Sequence, residues 1–271
     1  MEKVKQLKNE WDIKNPTGLP EQFISYVLSK PDSHSKDVIW YVSRRLTEPF
    51  VVSKGPYGRR TLMIDEKYRL NSPGVQKAQG LLNLIDRPGF NGITTTNYDL
   101  LVELSLGMNG FNYGKKGEEL FIGANPFPGA KVQKAMLGNI PLAKLHGSIS
   151  WDSRLRYGDC RCGLNGRALI VPPSPEKKAI NELKDQWETA STLLKKSQGL
   201  IFFGFSFNPN DSAVLDLLKE CGSDLSNILV IDPFIDEMRV KKIWPHCEII
   251  FAKPPPEGSS TIASWLSKTI R

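Results

Sequence analysis

Three side chains in two segments of the sequence could together perform acid–base chemistry. Asn97 and Asp99 lie in TTTNYD, and His146 lies in KLHGS. A carboxylate can stabilise developing positive charge, an amide can both donate to and accept from hydroxyl groups, and imidazole exchanges protons near neutral pH. We therefore take Asn97, Asp99 and His146 as the candidate catalytic residues.

The surroundings of His146 favour a catalytic interpretation over a structural one. The residue follows a short apolar run and precedes Gly147, which would let the backbone turn sharply. The alternative is a buried histidine that donates to a carbonyl group. His34 and His246 have no comparable surroundings, so we expect them to be surface or packing residues.

The segment GFSFNPND at 204–211 has the features of a phosphate-binding loop. Gly204 permits close approach of the backbone to a phosphate, and Ser206 can donate a hydrogen bond to it. A helix that begins near Asn210 or Asp211 would direct its N-terminal amides toward the same site. In the alternative interpretation, Ser206 forms a local turn and Asp211 only caps the helix.

Asp232 ends a further apolar run in LVIDP at 229–233. An acidic residue at a strand end suits a ribose diol, and the alternative is a turn residue ahead of Pro233. With the neighbours of the other segments it completes the candidate binding set: Thr96, Tyr98, Gly147, Gly204, Phe205, Ser206, Asn208 and Asp232.

The elements that must position these residues alternate between strands and helices. Each polar segment follows a short apolar run, and ligands of open parallel sheets lie outside the carboxyl ends of the strands. The pattern predicts an α/β fold, a Rossmann-like parallel sheet flanked by helices. Strands are predicted near 92–96, 142–145, 168–171, 200–203, 228–231 and 248–251, and helices after Asp99 and near 177–196, 211–219, 235–243 and from 260.

The sequence predicts one domain, residues 1–271, with an uneven organisation. Residues 1–90 are expected to be mostly helical, interrupted by a hairpin or irregular excursion at 50–69. We interpret 107–140 and 151–167 as insertions, because both are poor in regular periodicity. The Rossmann-like core is then assigned to 91–106, 141–150 and 168–271.

Composition excludes some classes of function. The 271 residues contain no long apolar run and carry a net charge of +7, so we expect a cytoplasmic protein without a membrane partner. The basic residues are scattered, which disfavours nucleic-acid binding. The spacing of Cys160 and Cys162, one residue apart, does not suit zinc, and Cys221 and Cys247 lie far away. No metal is predicted.

An ordered set of segments resembles the sirtuin-like NAD-binding family, and within it the bacterial branch whose members hydrolyse NAD in antiviral defence. The resemblance covers residues from about 18 to 251. It is densest in TTNYD at 95–99, GFNYG at 110–114, KLHGSISW at 144–151, ALIVPP at 168–173 and FGFSFNPND at 203–211.

This resemblance implies an NAD glycohydrolase that releases nicotinamide. NAD would be the substrate, and NAD or ADP-ribose the small-molecule partner. In the family, the Asn and Asp of the TTNYD-like motif and the His of the HG motif hold the catalytic roles, which carry over to Asn97, Asp99 and His146. The alternatives are a degenerate nucleotide-binding module that is inactive alone and, third, an NAD-dependent protein deacylase, although the paired-cysteine zinc ribbon of that branch is absent.

One departure from the family pattern concerns the beginning of the sheet. Family members open with a strand and a GAGxS-type loop, and residues 1–90 contain no such motif. Thr17-Gly18-Leu19-Pro20 instead resembles the segment that follows that loop, so the chain is expected to lack a central strand. Residues 1–15, the stretch 50–64, or a partner chain in a homo-oligomer or other assembly would then have to supply it.

Overall fold

The structure is a computed structural model that carries no ligand. Helices and strands are numbered below in chain order among the part of the chain it describes. The described residues are 2–18, 22–23, 26–27, 37–38, 41–42, 50–54, 60–64, 76–77, 80–81, 83, 90–106, 111–113, 140–152, 168–171 and 183–269.

The amino-terminal region contains a helix and a hairpin. Helix α1, Glu2–Lys14, is supported by side-chain pairs four residues apart, such as Lys8 with Asp12. Strands β1, Phe50–Lys54, and β2, Arg60–Ile64, pair antiparallel with each other in a separate two-stranded sheet. Of the two alternatives for 50–69, a hairpin or an irregular excursion, the structure contains the antiparallel pair of a hairpin.

A three-stranded parallel sheet carries the first candidate residues. It consists of β3, Ile93–Thr95, β4, Phe111–Asn112, and β5, Ile140–Lys144, in the order β3-β5-β4. Helix α2, Leu101–Leu106, follows β3 as the helical pattern after Asp99 predicts. Strand β4 lies within 107–140, so part of the stretch interpreted as an insertion pairs with the sheet.

A second three-stranded parallel sheet is built from the carboxyl-terminal half of the chain. Its strands β8, Gly199–Phe203, β9, Asn227–Ile231, and β10, Glu248–Ala252, are ordered β10-β9-β8. The apolar run of β9 is almost fully buried from Ile228 to Ile231, because a central parallel strand is covered on both faces.

Helices precede, connect and follow the strands of this second sheet. They are α3, Lys184–Lys195, α4, Ser212–Cys221, α5, Glu237–Ile243, and α6, Ser259–Thr269; a single 3₁₀ turn, Pro209–Asp211, precedes α4. Between the two parallel sheets in sequence, β6, Gly147–Asp152, pairs antiparallel with β7, Ala168–Ile170.

One hydrophobic core joins the two parallel sheets. Leu142 of β5 and Leu145, which follows β5, share a buried cluster with Phe202 of β8 and Val230 of β9. Trp187 of α3 belongs to the same cluster. The mixed α/β architecture with parallel sheets flanked by helices confirms the predicted Rossmann-like fold class. The strands fall into two sheets, however, and in the described part of the chain no strand joins β3 to β8.

Several predictions concern residues that the structure does not describe. These are the beginning of the helix expected at 177–196, most of both stretches interpreted as insertions, His34, Cys160 and Cys162. Within the described ranges, no helix has both the length and the apolar composition needed to cross a membrane.

Candidate functional site

The carboxyl ends of the two parallel sheets meet at a buried histidine–carboxylate pair. His146 follows β5, and Asp211 ends the loop that follows β8. The Nε2 atom of His146 lies 2.9 Å from Oδ2 of Asp211, and only 2% of the histidine side chain is exposed. The pair therefore places β3, β5 and β8 with their carboxyl ends on the same side of the molecule, since β3 runs parallel to β5.

A tight turn fixes the direction of the imidazole. Gly147 has a φ of +85°, and a Cβ atom there would lie 2.1 Å from the carbonyl oxygen of Leu169. The carbonyl oxygen of His146 accepts from the amide of Val171 at 2.9 Å. Only glycine fits this position. Gly147 therefore forms the sharp turn that the sequence predicts, with the backbone of Leu169 packed against it.

The side chain of Asp211 does not cap α4, although the sequence suggests that role. The residue occupies the N-cap position of α4, but its side chain makes no capping hydrogen bond. Its carboxylate is directed at His146 instead, so the interpretation as a cap alone is wrong. Nothing in the sequence marks this pair, because the two residues are 65 positions apart.

The pairing determines how the imidazole can act. With a carboxylate at Nε2, that nitrogen carries the proton, and Nδ1 becomes the acceptor. Among the described residues Nδ1 has no hydrogen-bond partner and is buried. The rings of Tyr98 and Trp187 each lie 6.3 Å from the imidazole centroid. In the part of the chain that the structure describes, His146 therefore pairs with a carboxylate and does not donate to a carbonyl group, which was the alternative.

Backbone hydrogen bonds tie the TTTNYD segment to the His146 turn. The amide of Leu145 donates to the carbonyl of Thr95 at 3.0 Å, and the amide of Ile149 donates to that of Tyr98 at 2.9 Å. Asn97 is exposed on the connecting loop. Its backbone N–H donates to Oγ1 of Thr95. The structure thus brings Asn97 next to the segment that carries His146.

Asp99 is held at the start of α2. Its Oδ1 accepts from the amide of Leu101 at 3.0 Å, and its backbone carbonyl accepts from Nζ of Lys144. The carboxylate side chain is half-buried. Asp99 therefore caps the start of α2 and lies in the loop after the carboxyl end of β3.

A buried ionic cluster, not anticipated from the sequence, supports that position. Lys144 is 1% exposed, and its Nζ lies 2.8 Å from Oε1 of Glu103, which also accepts from the hydroxyl of Tyr113 at 2.8 Å. A buried cation is tolerated only when it is paired and hydrogen-bonded. We call Lys144, Glu103 and Tyr113 the lysine cluster.

A cavity of about 660 Å³ lies between β3 and β8. Its lining includes Thr96, Asn97 and Asp99 after β3, and Gly204 and Phe205 after β8. It does not reach the other candidate residues, Tyr98, His146, Gly147, Ser206, Asn208 and Asp232. The structure therefore brings part of the predicted set to one cavity, whereas His146 is buried and does not line it.

The loop after β8 has an unusual backbone. Gly204 has a φ of +61° with open space where a Cβ would be, and Phe207, a buried non-glycine residue, has a φ of 50°. The ring of Phe207 packs against those of Phe202 and Phe205, each at 4.7 Å. Ser206 is exposed, and the carbonyl of Asn208 accepts from the amide of Asp211. Packing thus holds the loop in the conformation that delivers Asp211.

Asp232 forms a local turn ahead of Phe234, which is the alternative to the ribose-binding role predicted for it. Its Oδ1 accepts from the amide of Phe234 at 2.8 Å, across Pro233. This contact does not exclude a ligand at the carboxylate, because the side chain remains partly exposed.

The described residues offer neither a metal site nor an activated thiol. No group of three or more potential ligands occurs among them. The Sγ atom of Cys247 donates to the carbonyl of Leu225, burial raises the pKa of this thiol, and Sγ of Cys221 lies 3.2 Å from Oγ of Ser191. A raised pKa disfavours the reactive thiolate.

Comparison with known proteins identifies a family for the part of the chain that carries the candidate site. A family model described as a SIR2-like domain matches residues 91–243. The matched region contains Asn97, Asp99, His146 and Asp211. No curated protein matches the chain.

Proposed function

The chain belongs to the SIR2-like domain family, and from this premise we propose that it binds NAD and hydrolyses it to nicotinamide and ADP-ribose. The observation that carries the proposal is the buried pair of His146 and Asp211 at the carboxyl edge of the strands. That edge is where open α/β sheets bind nucleotides.

The residues at this edge fit a ribosyl substrate. Nδ1 of His146 is a buried acceptor without a hydrogen-bond partner among the described residues, as expected of an atom that awaits a hydroxyl or water. Asn97 is exposed on the loop whose backbone is hydrogen-bonded to the segment that carries His146, and its side chain can both donate and accept. Gly204 leaves open space where a side chain would block close approach of a phosphate.

His146 is proposed as the general base. Its Nδ1 would take the proton from the attacking water while the water oxygen bonds to the anomeric carbon and the bond to nicotinamide breaks. Asp211 would hold the tautomer with the proton on Nε2 and stabilise the imidazolium that forms. Bound NAD supplies a pyridinium leaving group, which departs neutral and needs no general acid.

Asn97 and Asp99 are proposed to act on the sugar. Loss of nicotinamide leaves positive charge on the ribose, and the carboxylate of Asp99 would stabilise it electrostatically. The amide of Asn97 would orient the ribose hydroxyls or the water. The lysine cluster would keep the loop in place, because Lys144 binds the backbone carbonyl of Asp99.

The biological setting follows the same proposal. Hydrolysis of NAD would deplete the cellular pool, which is the defensive activity of the bacterial branch that the sequence resembles. We therefore include an antiphage role in the proposal. Cells that express the chain should resist infection, and His146→Ala should abolish that protection.

Release of nicotinamide from NAD by the purified chain tests the enzymatic proposal. We expect turnover by the wild type, loss of about 10²-fold or more in His146→Ala, and wild-type activity in His246→Ala, since His246 is exposed and precedes β10, at the amino end of the second sheet. If the chain binds NAD measurably but releases no nicotinamide, the enzymatic proposal fails and the second candidate function, a binding module, remains.

A binding module without turnover is the second candidate function. It is favoured by the depth of His146, which the cavity does not reach. Calorimetry with NAD and with ADP-ribose separates the two: an enzyme consumes NAD during the titration, whereas a binding module gives a stable saturation curve with both.

A further inference from the structure

The end of strand β5, which leads directly to His146, is paired with another strand on one side only. On that side β3 pairs with residues 142–144, and the amide of Leu145 donates to the carbonyl of Thr95. On the other side of β5 the pairing with β4 ends at Pro141. In the part of the chain that the structure describes, the last residues of β5 therefore have no strand beside them on the β4 side.

The side chain of Gln186, in the first turn of α3, takes the place of a strand there. Its Oε1 accepts from the amide of Lys144 at 3.1 Å, and its Nε2 donates to the carbonyl of Tyr113, the residue after β4, at 3.0 Å. A carboxamide offers an acceptor and a donor as a peptide group does, and Gln186 is 1% exposed. A side chain of α3 thus continues the hydrogen bonding between β4 and β5.

The next residue of α3, Trp187, binds the main chain directly before His146. Its Nε1 donates to the carbonyl of Leu145 at 3.1 Å, and the side chain is buried. The planes of the indole and the imidazole of His146 meet at 76°, an edge-to-face arrangement. One side chain therefore holds the carbonyl that precedes His146 and packs against the imidazole.

Burial in the core does not by itself give an indole N–H a partner. Trp151 belongs to the same hydrophobic cluster as Trp187 and is fully buried, yet its Nε1 has no hydrogen-bond partner among the described residues. The contact between Trp187 and the carbonyl of Leu145 is therefore a specific feature of this position.

The two residues of α3 fix the main chain immediately ahead of the histidine–carboxylate pair. Without the indole N–H, the buried carbonyl of Leu145 would lose its donor in a place that water does not reach, and its peptide group would be free to shift. A shift of about 1 Å at a catalytic group can lower a rate about 10²-fold. The contact between His146 and Asp211 is thus sensitive to a side chain that touches neither carboxylate nor ring nitrogen.

We propose that Trp187 is a positioning residue for His146 in the NAD hydrolysis proposed above, on which this inference rests. Its indole N–H fixes the carbonyl of Leu145, which keeps Nε2 of His146 within hydrogen-bond distance of Asp211 and fixes the direction of Nδ1. Gln186 holds the preceding residue of the chain in the same way. Trp187 acts through the imidazole and takes no part in the transfer of the proton.

Steady-state release of nicotinamide by two matched variants tests this role. Trp187→Phe keeps an aromatic ring but removes the N–H, and Trp151→Phe removes the same atoms at a site without a hydrogen bond among the described residues. We expect Trp187→Phe to lower kcat about tenfold or more and to leave KM within about twofold, because the general base is displaced and the substrate contacts are not. Trp151→Phe should keep kcat within about twofold.

Proton NMR of the free protein tests the geometry independently of turnover. An imidazole N–H that donates to a carboxylate and is shielded from water exchanges slowly and gives a low-field resonance. We expect this resonance in the wild type and in Trp151→Phe, and its absence in His146→Ala assigns it. Trp187→Phe should lose the resonance or shift it upfield, whereas loss of a tryptophan with only a packing role would not move it.

Gln186→Met is the second variant if Trp187→Phe fails to fold. It removes the hold of α3 on Lys144 and leaves the indole in place, so the same resonance should weaken or shift. A resonance that is absent from the wild type, or unchanged in the folded α3 variant, would overturn the inference, as would equal losses of kcat in Trp187→Phe and Trp151→Phe. A wild type with the expected resonance but no turnover would overturn the proposed function, and the response of the resonance to Trp187→Phe would still decide the positioning role.

Discussion

The carboxylate of Asp211 gives His146 a defined chemical role. It fixes the proton on Nε2 and leaves Nδ1, buried and without a partner among the described residues, as the acceptor. A histidine oriented by a carboxylate is a recurrent device for proton transfer. At the residue scale, the proposed chemistry therefore depends on a pair rather than on His146 alone.

The orientation of His146 depends in turn on Gly147. We predict that Gly147→Ala lowers the unfolding free energy by several kcal/mol and reduces activity, because the new Cβ would collide with the carbonyl of Leu169. Gly204→Ala is the matched variant: its φ is also positive, but no atom lies within 4 Å of the point that its Cβ would occupy. Its cost should be only about 1–2 kcal/mol.

Urea unfolding of both variants checks this prediction. Equal destabilisation of the two would show that the positive φ, and not the close approach to Leu169, sets the cost at Gly147.

At the element scale, the lysine cluster connects β5 to α2. Lys144 at the end of β5 pairs with Glu103 of α2 and binds the backbone carbonyl of Asp99. A buried ion pair adds little net stability over an apolar pair, but loss of one partner leaves an uncompensated charge. The cluster therefore fixes where α2 begins relative to the His146 turn.

We predict that Lys144→Met destabilises the protein by about 3–5 kcal/mol, because Glu103 is left buried without its cation. The double variant Lys144→Met with Glu103→Gln should recover part of this loss. Chemical denaturation of both measures it, and a double variant no more stable than the single one would argue that the methionine itself does not fit.

The elements themselves could largely be predicted from sequence. Strands β8 and β9 are short apolar runs bounded by polar residues, which is a local pattern and needs no tertiary information. The partners of Lys144 and His146 could not be predicted, because their carboxylates lie 41 and 65 positions away and no periodicity relates them. Strand β4 could not be predicted for a similar reason, because its pairing with β5 is set by the fold and not by its own composition.

At the scale of the whole molecule, two half-sheets share one core. Leu142 and Val230 belong to the same buried cluster although their strands lie in different sheets. A cavity lies between β3 of one sheet and β8 of the other. The ribose end of the proposed NAD site would lie in this cavity, which Asn97 and Asp99 line.

The central claim, that His146 and Asp211 act as one unit in NAD hydrolysis, is tested most directly by a double-mutant cycle. The rate of nicotinamide release would be measured for the wild type, His146→Ala, Asp211→Asn and the double variant. We predict that each single change costs about 10²-fold or more and that the double variant is no slower than His146→Ala, because Asp211 acts only through the imidazole. Independent, additive losses, or a wild-type rate in either single variant, would contradict the account.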